Sequence, residues 1–225
     1  MSEIKPIAHI RTPFGGKFGI PRQSNLVEEA EGLIVFEPEY RQPEALRGLE
    51  DYSYIWLIWE FSENAGQKWS PTVRPPRLGG NTRMGVFATR SPFRPNSLGL
   101  SSVKLLGMED TAEGKALRVS GVDLMDGTPI YDIKPYVPYV DSHPDALGGF
   151  AVDAPGEKLE VIFPGNLLEK IPETHREALR AVLARDPRPP YQNEAERVYG
   201  LSFGGKNIRF QVKDERLFVT EVEGD

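Results

Sequence analysis

Short runs of apolar residues, separated by turn residues, dominate the first 140 positions of the chain. These runs are rich in Val, Ile, Tyr, Trp and Phe, which favour β-strands. "ALRVSGVDL" alternates between apolar and polar residues, whereas "SYIWLIWEF" is apolar throughout and predicts a strand buried on both faces. "QPEALRGLEDY" at 42–52 predicts a short helix. The predicted strands are Ile7–Arg11, Leu33–Glu37, Tyr54–Phe61, Met84–Arg90, Leu98–Met108, Ala116–Asp123 and Ile130–Tyr139.

The spacing of these strands favours a mainly β fold for the first part of the chain. Six or seven strands follow one another with few helical stretches between them, which favours a closed β-barrel or sandwich. A doubly wound α/β sheet would need a helix between most strands. We therefore expect a closed β-barrel or sandwich and not a Rossmann fold.

The pattern changes after residue 145. Gly, Ala, Asp and Pro gather in "DALGGFAVDAPGEKLEV", which predicts a domain boundary. "PETHREALRAVLARD" then has the period of an amphipathic helix, which "DPRPPY" ends. "VYGLSF", "NIRFQVK" and "RLFVTEV", joined by short turns, predict a three-stranded meander. We expect two domains, 1–145 and 160–225, the second a small α+β unit docked on the first or on a second subunit.

Charge is segregated along the chain. The net charge is −6, yet the segment 64–108 contains seven basic residues and no acidic residue. The other 180 residues therefore carry a net charge of −13. This segregation indicates a local anion-binding surface. The alternative is that these basic residues pair with the excess carboxylates in the folded chain.

Several kinds of chemistry lack their sequence signals. The chain has no cysteine, which excludes disulfides, thiol catalysis and Cys-ligated zinc. The three histidines lack metal-ligand spacing, and no P-loop, Rossmann glycine motif or nucleophile elbow is present. No apolar run reaches the length of a membrane span, and the N-terminus lacks a signal-peptide core. We expect a cytoplasmic protein with no membrane partner.

The stretch "PTVRPPRLGGNTRMGVFATRSPFRPNSLGL" concentrates arginines on short connections. Proline fixes φ and glycine permits close approach of the backbone, so the guanidinium groups are held on stiff loops. Their planar donors suit a phosphate, a carboxylate or a stacked base. Five arginines in 21 residues without an acid favour ligand binding over capping of carbonyl groups.

Two further stretches carry candidate chemistry. "VDLMDGTPIYDIKPYVPY" places Asp123, Asp126 and Asp132 at or near strand ends around a hairpin turn, where sites are often built. An aspartate there is suited to accept a proton, bind a sugar hydroxyl or offset a cationic ligand. "FGIPRQSNL" at 18–26 forms a polar loop after the first strand.

Together these stretches resemble the TrmO family, also called YaeB- or TsaA-like. The matching text is "IRTPF…KFGIPRQ", "RGLEDYSYIWLIWEF", "TVRPPRLGGNTRMGVFATRSPFRPNSLGLS", "DLMDGTPIYDIKPYVPY" and "DPRPPY", which spans nearly the whole chain. The resemblance implies methyl transfer from S-adenosylmethionine to N6 of threonylcarbamoyl-adenosine at tRNA position 37. It also implies a homodimer, a small β-barrel unlike Rossmann methyltransferases, and no metal.

The resemblance also implies a site. The methyl-donor pocket falls on Ser24, Asn25, Leu26, Ser62, Glu63, Arg90, Leu100, Gly121, Val122, Asp123 and Leu124.

From the chemistry of the acceptor nitrogen, we expect Asp123 or Asp126 to take its proton or to orient the cationic donor, with Arg90 as a further catalytic residue. Arg90, Arg94 and Asn96 are expected to hold the threonyl carboxylate or a nearby phosphate. Arg74, Arg77 and Arg83 are expected to follow the backbone of the tRNA anticodon stem-loop.

Two other functions stay open at this point. A non-catalytic RNA-binding module would use the arginines and aromatic residues without chemistry. A hydrolase of a small anionic metabolite would use Asp123 and Asp126 around a metal ion.

Overall fold

The structure is a computed structural model that describes residues 4–152, 159–189, 194 and 196–224. In its N-terminal part the strands are β1 (Ala8–Arg11), β2 (Glu31–Phe36), β3 (Tyr54–Glu60), β4 (Thr72–Val73), β5 (Met84–Gly85), β6 (Leu98–Thr111), β7 (Gly114–Ser120) and β8 (Thr128–Pro135). In its C-terminal part they are β9 (Glu160–Ile162), β10 (Tyr199–Phe203), β11 (Lys206–Lys213) and β12 (Arg216–Gly224). The α-helices are α1 (Pro138–Asp141), α2 (Gly165–Leu168) and α3 (Glu173–Ala184). Short 3₁₀ turns span Pro38–Tyr40, Pro43–Leu46, Leu49–Asp51, Ser62–Asn64, Pro76–Leu78, Val86–Ala88 and Gly149–Ala151.

The N-terminal part is mainly β, as predicted. Six antiparallel strands pair in the order β1-β2-β7-β6-β3-β8, and β8 also pairs with β1. Each of these strands therefore has a hydrogen-bonded neighbour on both sides. The inward-facing side chains of these six strands form the core of this part.

Strand β3 shows how side chains divide between the two faces of this sheet. Ile55, Leu57 and Trp59 are buried, whereas Trp56 and Ile58 on the other face are partly exposed. The prediction of burial on both faces is therefore wrong. Apolar residues on the outer face hid the period of two that a strand imposes.

The arginine stretch is mostly loop, so the predicted strand Met84–Arg90 is wrong. Only Met84–Gly85 pairs, with Thr72–Val73, and a 3₁₀ turn follows. The Arg94 guanidinium donates to the backbone carbonyls of Val86 (3.2 Å) and Thr89 (2.6 Å). These carbonyl groups are satisfied by a side chain, so no neighbouring strand is needed.

Two other predicted elements differ in detail. The helix predicted at 42–52 is replaced by two 3₁₀ turns, Pro43–Leu46 and Leu49–Asp51, because Gly48 between them has a φ of 84°. The last strand of the sheet ends at Pro135, before the predicted Tyr139, and α1 follows.

The C-terminal part is a helix on a four-stranded sheet. Helix α3 buries one face, formed by Ala178, Leu179, Val182 and Leu183. The predicted meander is present as β10-β11-β12, but β9 adds a fourth strand, parallel to β12. This strand has only three residues, too few to show a period in the sequence. The end of "DPRPPY" lies outside the described residues.

The C-terminal part packs on the loop that follows β1. Phe14 pairs with Phe203 across the two parts, and the Gly204 N–H donates to the Pro13 carbonyl at 2.7 Å. The Phe18 ring stacks on the rings of Tyr199 and Phe210. The same loop continues into residues 20–23, so these contacts fix the start of a segment that borders the candidate site.

Candidate functional site

A cavity of about 480 Å³ opens where β3 ends and β6 begins. Four segments form its wall: the loop 17–23, the end of β3 with the following turn (59–64), the arginine loop 89–94 and the segment after β7 that holds Asp123. The volume lies within the range of ligand pockets, about 300–1,000 Å³. Arginine, lysine, glutamate and aspartate side chains share this wall with Trp59 and Phe61.

The most distinctive acid in the cavity is Asp123. Burial raises its pKa from 3.8 to about 6. Hydrogen bonds from Ser101, its own backbone and the Ser24 backbone, and the positive charge of Arg90, oppose this rise only in part. The carboxyl group is therefore suited to exchange a proton near neutral pH.

The hydroxyl group of Ser101 connects this carboxyl group to the core. Ser101 Oγ donates to Asp123 Oδ1 at 2.7 Å and accepts the Trp59 indole N–H at 3.0 Å. Both residues were missed by the site prediction from sequence. The signal that could have identified Ser101 was the alternation of β6, which turns Gly99, Ser101 and Val103 inward.

Arg90 and Arg94, the two arginines of loop 89–94 that line the cavity, have different partners. Arg90 donates to the Gln23 side-chain amide oxygen. Arg94 is tied to the loop carbonyls described above and lies over the Phe87 ring at 5.8 Å. Capping of carbonyl groups therefore applies to Arg94, while Arg90 adds positive charge near Asp123.

The remaining arginines of the stretch lie outside the cavity wall. Arg74 and Arg83 are exposed, and Arg83 donates to the Thr72 hydroxyl group at 3.2 Å. Arg77 donates to the Ala151 carbonyl at 3.5 Å. Within the described residues, the ion pairs of the chain involve none of Arg74, Arg83, Arg90 and Arg94. Carboxylates of the described residues therefore do not neutralise these four arginines, contrary to the alternative raised from the sequence.

The predicted donor-pocket residues divide into two groups. Some line the cavity: Ser62, Glu63, Arg90, Leu100 and Asp123. The others are not among the residues that line it: Ser24, Asn25, Leu26, Gly121, Val122 and Leu124.

Asn25 explains the position of the second group. With φ of 62°, it donates its backbone N–H to the Gly121 carbonyl at 2.8 Å and its side-chain amide to the Ser102 carbonyl at 2.9 Å. An added Cβ at Gly121 would overlap the Asn25 side chain. This contact fastens the loop to the sheet and brings the Ser24 N–H to Asp123.

Asp126 and Asn96 do not line the cavity. Asp126 Oδ1 accepts the Thr12 backbone N–H at 2.9 Å and faces a separate groove beside His175. Asn96 is exposed. Asp123 and Asp126 therefore do not converge on one reacting group.

Several cavity residues carry charge that the sequence prediction overlooked. Lys17 Nζ donates to Asn64 Oδ1 at 3.2 Å and lies 3.6 Å from a Glu63 oxygen. Glu60 accepts the Tyr131 hydroxyl group at 2.7 Å, and burial together with this carboxylate raises the pKa of Tyr131 to about 12. The cavity thus offers both signs of charge.

Metal-ligand groups and membrane-spanning helices are both absent from the part of the chain that the structure describes. No three His, Asp or Glu side chains there are grouped as metal ligands. No helix among those residues has the length and apolar character needed to span a bilayer.

A six-stranded antiparallel sheet with a mixed-charge cavity at its strand ends defines a small-ligand-binding β protein outside the Rossmann class. Residues 9–142 match the family described as tRNA-methyltransferase O N-terminal domain, and residues 156–225 match the TrmO C-terminal domain. The chain belongs to the TrmO family, so the resemblance predicted from its motifs is confirmed.

Several known proteins are similar to this chain over nearly its full length. The tRNA (adenine(37)-N6)-methyltransferase of Escherichia coli K12 is 41% identical over 229 residues, covering 98% of this chain and 97% of the relative. A Pseudomonas aeruginosa protein with the provisional name S-adenosylmethionine-dependent methyltransferase RcsF is 44% identical over 98% of this chain and 97% of its own length. The crystal structure of TrmO from Pseudomonas aeruginosa superposes with a TM-score of 0.81 at 34% identity, covering 100% of this chain and 99% of that one.

Proposed function

We propose that this protein transfers a methyl group from S-adenosylmethionine to N6 of threonylcarbamoyl-adenosine at position 37 of tRNA. The observation that carries the proposal is the cavity that places Asp123 beside Arg90 in a chain of the TrmO family. The name of the Escherichia coli relative supports the adenine, its position and N6. The threonylcarbamoyl group is supported by the guanidinium groups at the cavity, which suit its carboxylate.

The cavity fits the methyl donor in size and charge. S-adenosylmethionine, when bound, supplies an electrophilic methyl group on a positively charged sulfur. Aromatic walls suit an adenine, cationic side chains suit a carboxylate, and acidic side chains suit an ammonium or sulfonium group. We assign to this pocket Ser62, Glu63, Arg90, Leu100 and Asp123 as wall residues, framed by Ser24–Leu26 and Gly121–Leu124.

Asp123 is the group we assign to proton removal. The acceptor nitrogen of the substrate is urea-like, with its lone pair delocalised, and is a poor nucleophile until it loses its proton. Asp123 lines the cavity and has a pKa near neutrality, which suits a general base. Asp126 instead fastens the Thr12 backbone. Alignment of the two reactants in the cavity accelerates the reaction further, because it can lower the activation barrier by up to about 7–11 kcal/mol.

We assign RNA binding to the arginine stretch. Position 37 lies in a single-stranded loop, so its base can leave the stack without melting a duplex. Arg90 and Arg94 would hold the threonyl carboxylate, with Asn96 nearby in the chain, while Arg74, Arg77 and Arg83 would contact phosphates. Phe87 is 74% exposed beside Arg94 and offers a ring for stacking.

The architecture completes the proposal. The pairing of β8 with β1 supports reading the six-stranded sheet as the closed β-barrel expected from sequence. We assign residues 1–145 to this domain and 160–225 to the C-terminal domain, and we propose a cytoplasmic homodimer.

The test combines binding and turnover. Calorimetry should show saturable binding of S-adenosylmethionine without RNA, which a pure RNA-binding module would lack. Methyl transfer should occur on tRNA that carries threonylcarbamoyl-adenosine and not on the same tRNA without it. Transfer to both tRNAs would remove the threonylcarbamoyl group from the proposal.

The variant Arg90→Ala tests the site assignment. It should abolish methyl transfer without unfolding the protein, because Arg90 is exposed and its one described hydrogen bond goes to Gln23. Arg216→Ala, which breaks an ion pair with Glu160 in the C-terminal part, is the control and should keep wild-type turnover. A folded Arg90→Ala protein with wild-type turnover would show that the site assignment is wrong.

A further inference from the structure

Trp59, Ser101 and Asp123 form a hydrogen-bonded chain from the core to the cavity. The two bonds measure 3.0 Å and 2.7 Å. Ser101 is 2% exposed and Trp59 is 7% exposed, so the bond between them is buried, whereas the bond from Ser101 to Asp123 is partly buried at the cavity wall. These residues come from three separate segments and meet only in the folded sheet.

The direction of both bonds follows from the chemistry of the groups. An indole N–H only donates, so the Ser101 oxygen must accept from Trp59. The hydroxyl group has one proton, and with the indole placed on its oxygen this proton is directed at Asp123. Trp59 therefore sets the orientation of the Ser101 hydroxyl group.

The indole itself is fixed by its surroundings. An added Cβ at Gly99 would overlap the Trp59 ring, so the ring fills the space that this glycine leaves. The Phe61 ring packs on it with 4.3 Å between ring centroids. Trp59 is thus held in one position and cannot release the Ser101 hydroxyl group without repacking.

We propose that Ser101, oriented by Trp59, is a positioning residue that holds the Asp123 carboxylate in the geometry and charge state needed to accept the substrate proton. This inference rests on the proposed function, in which Asp123 is the proton acceptor. Ser101 does not touch the reactants itself, because it acts through Asp123.

Removal of the Ser101 hydroxyl group should therefore change the titration of Asp123. The Ser101 O–H bond stabilises the charged carboxylate and lowers its pKa against the effect of burial. Arg90 acts in the same direction, and a substitution of Ser101 removes none of the other charged groups of the cavity wall. Those groups are Lys17, Arg22, Glu60, Glu63 and Arg94.

The first measurement uses the free protein. In Ser101→Ala, the carboxyl carbon of Asp123, followed by NMR during a pH titration, should titrate about one pH unit higher than in the wild type. The pH at which methyl transfer reaches half its maximum should move upward by a similar amount. A folded Ser101→Ala protein with an unchanged Asp123 titration would overturn the proposal.

A second pair of variants covers a failure of Ser101→Ala to fold. Ser101→Thr keeps the hydroxyl group and Ser101→Val lacks it, while both have the same shape and suit a strand. Ser101→Thr should titrate like the wild type and Ser101→Val like the alanine variant. Equal titration in the two would overturn the proposal.

The outcome is distinguishable from failure of the proposed function. If Asp123→Asn keeps wild-type methyl transfer, then Asp123 is not the proton acceptor and the proposed mechanism is wrong. The NMR titration still reports whether Ser101 controls the carboxyl group. Thr220→Ala, which removes a hydroxyl bond to the Arg209 carbonyl in the C-terminal sheet, is the control for both measurements.

Discussion

Asp123 accepts hydrogen bonds from a hydroxyl group and backbone N–H groups and lies near a guanidinium, yet burial still dominates its pKa. A raised pKa means that the folded state favours the protonated carboxyl group more than the unfolded state does. Ionisation above pH 6 therefore costs folding free energy, while below pH 4 both states are protonated and the cost disappears. A site that needs a base near neutrality accepts this loss of stability.

Asp123→Asn should consequently stabilise the protein in a pH-dependent way. At pH 8 the free energy of unfolding should rise by up to about 3 kcal/mol, because the cost of ionising a buried carboxyl group is removed. At pH 4 the gain should be small. Urea unfolding at both pH values measures it, with Asp145→Asn as an exposed control. An equal gain at both pH values would contradict the raised pKa.

The same carboxyl group should influence binding of the methyl donor. A sulfonium next to Asp123 favours the ionised form, so affinity for S-adenosylmethionine should rise about tenfold between pH 5 and pH 7. S-adenosylhomocysteine lacks the sulfonium charge and should show a much weaker dependence. Calorimetry at several pH values compares the two ligands. Identical pH profiles would place the sulfur away from Asp123 and leave only its role in proton removal.

At the scale of elements, the loop after β1 connects the two parts of the chain to the cavity. Its first half packs on the C-terminal sheet through Phe14 and Phe18, and its second half lines the cavity from Ile20 to Gln23. Arg22 also donates to the Arg188 carbonyl at 2.9 Å. The C-terminal part therefore holds one wall of the cavity.

Gly19→Ala tests this connection. Gly19 has a φ of 90°, and an added Cβ would overlap the Leu201 side chain. We expect a loss of about 2–4 kcal/mol in stability and weaker binding of S-adenosylmethionine, because the loop must move away from the C-terminal sheet. Calorimetry and thermal unfolding measure the two effects.

The control for this variant is Gly48→Ala. Gly48 has a similar φ of 84°, but nothing lies within 4 Å of an added Cβ. It should lose stability through backbone strain alone and bind S-adenosylmethionine normally. Equal loss of binding in both variants would show that the contact with Leu201 does not shape the pocket.

At the scale of the whole molecule, a net charge of −6 hides a basic surface on the arginine stretch. Binding of a nucleic acid to such a surface releases counterions and weakens as salt rises. The acidic remainder of the molecule repels RNA elsewhere. This arrangement favours one orientation of the tRNA on the protein.

The double variant Arg74→Gln, Arg83→Gln should weaken tRNA binding and lower the slope of log affinity against log salt by about 1.4–1.8. Affinity for S-adenosylmethionine should stay unchanged, because neither side chain lines the cavity. Filter binding at several salt concentrations measures the slope. Arg209→Gln, Arg216→Gln is the control, since both arginines already pair with glutamates. An unchanged slope in the first double variant would remove these residues from the RNA surface.

Local pattern predicted some elements well and failed at others for physical reasons. Helix α3 was predicted because its buried face repeats with the helical period within one segment. The strand expected at Met84–Arg90 is limited to Met84–Gly85, and Arg94, outside that window, donates to the Val86 and Thr89 carbonyl groups that follow. Propensity describes a segment alone, whereas hydrogen bonding depends on what the rest of the chain brings to it.

The sequence by itself determined the mainly β character, the α3 helix, the segregation of charge and, through its arginine and aspartate motifs, membership of the TrmO family. Only the tertiary structure decided which aspartate enters the cavity and what controls it. Trp59, Ser101 and Asp123 are separated by 42 and 22 positions, so their contact cannot be read from spacing. The pKa of Asp123 depends on burial by these distant segments, and burial exists only once the sheet has formed.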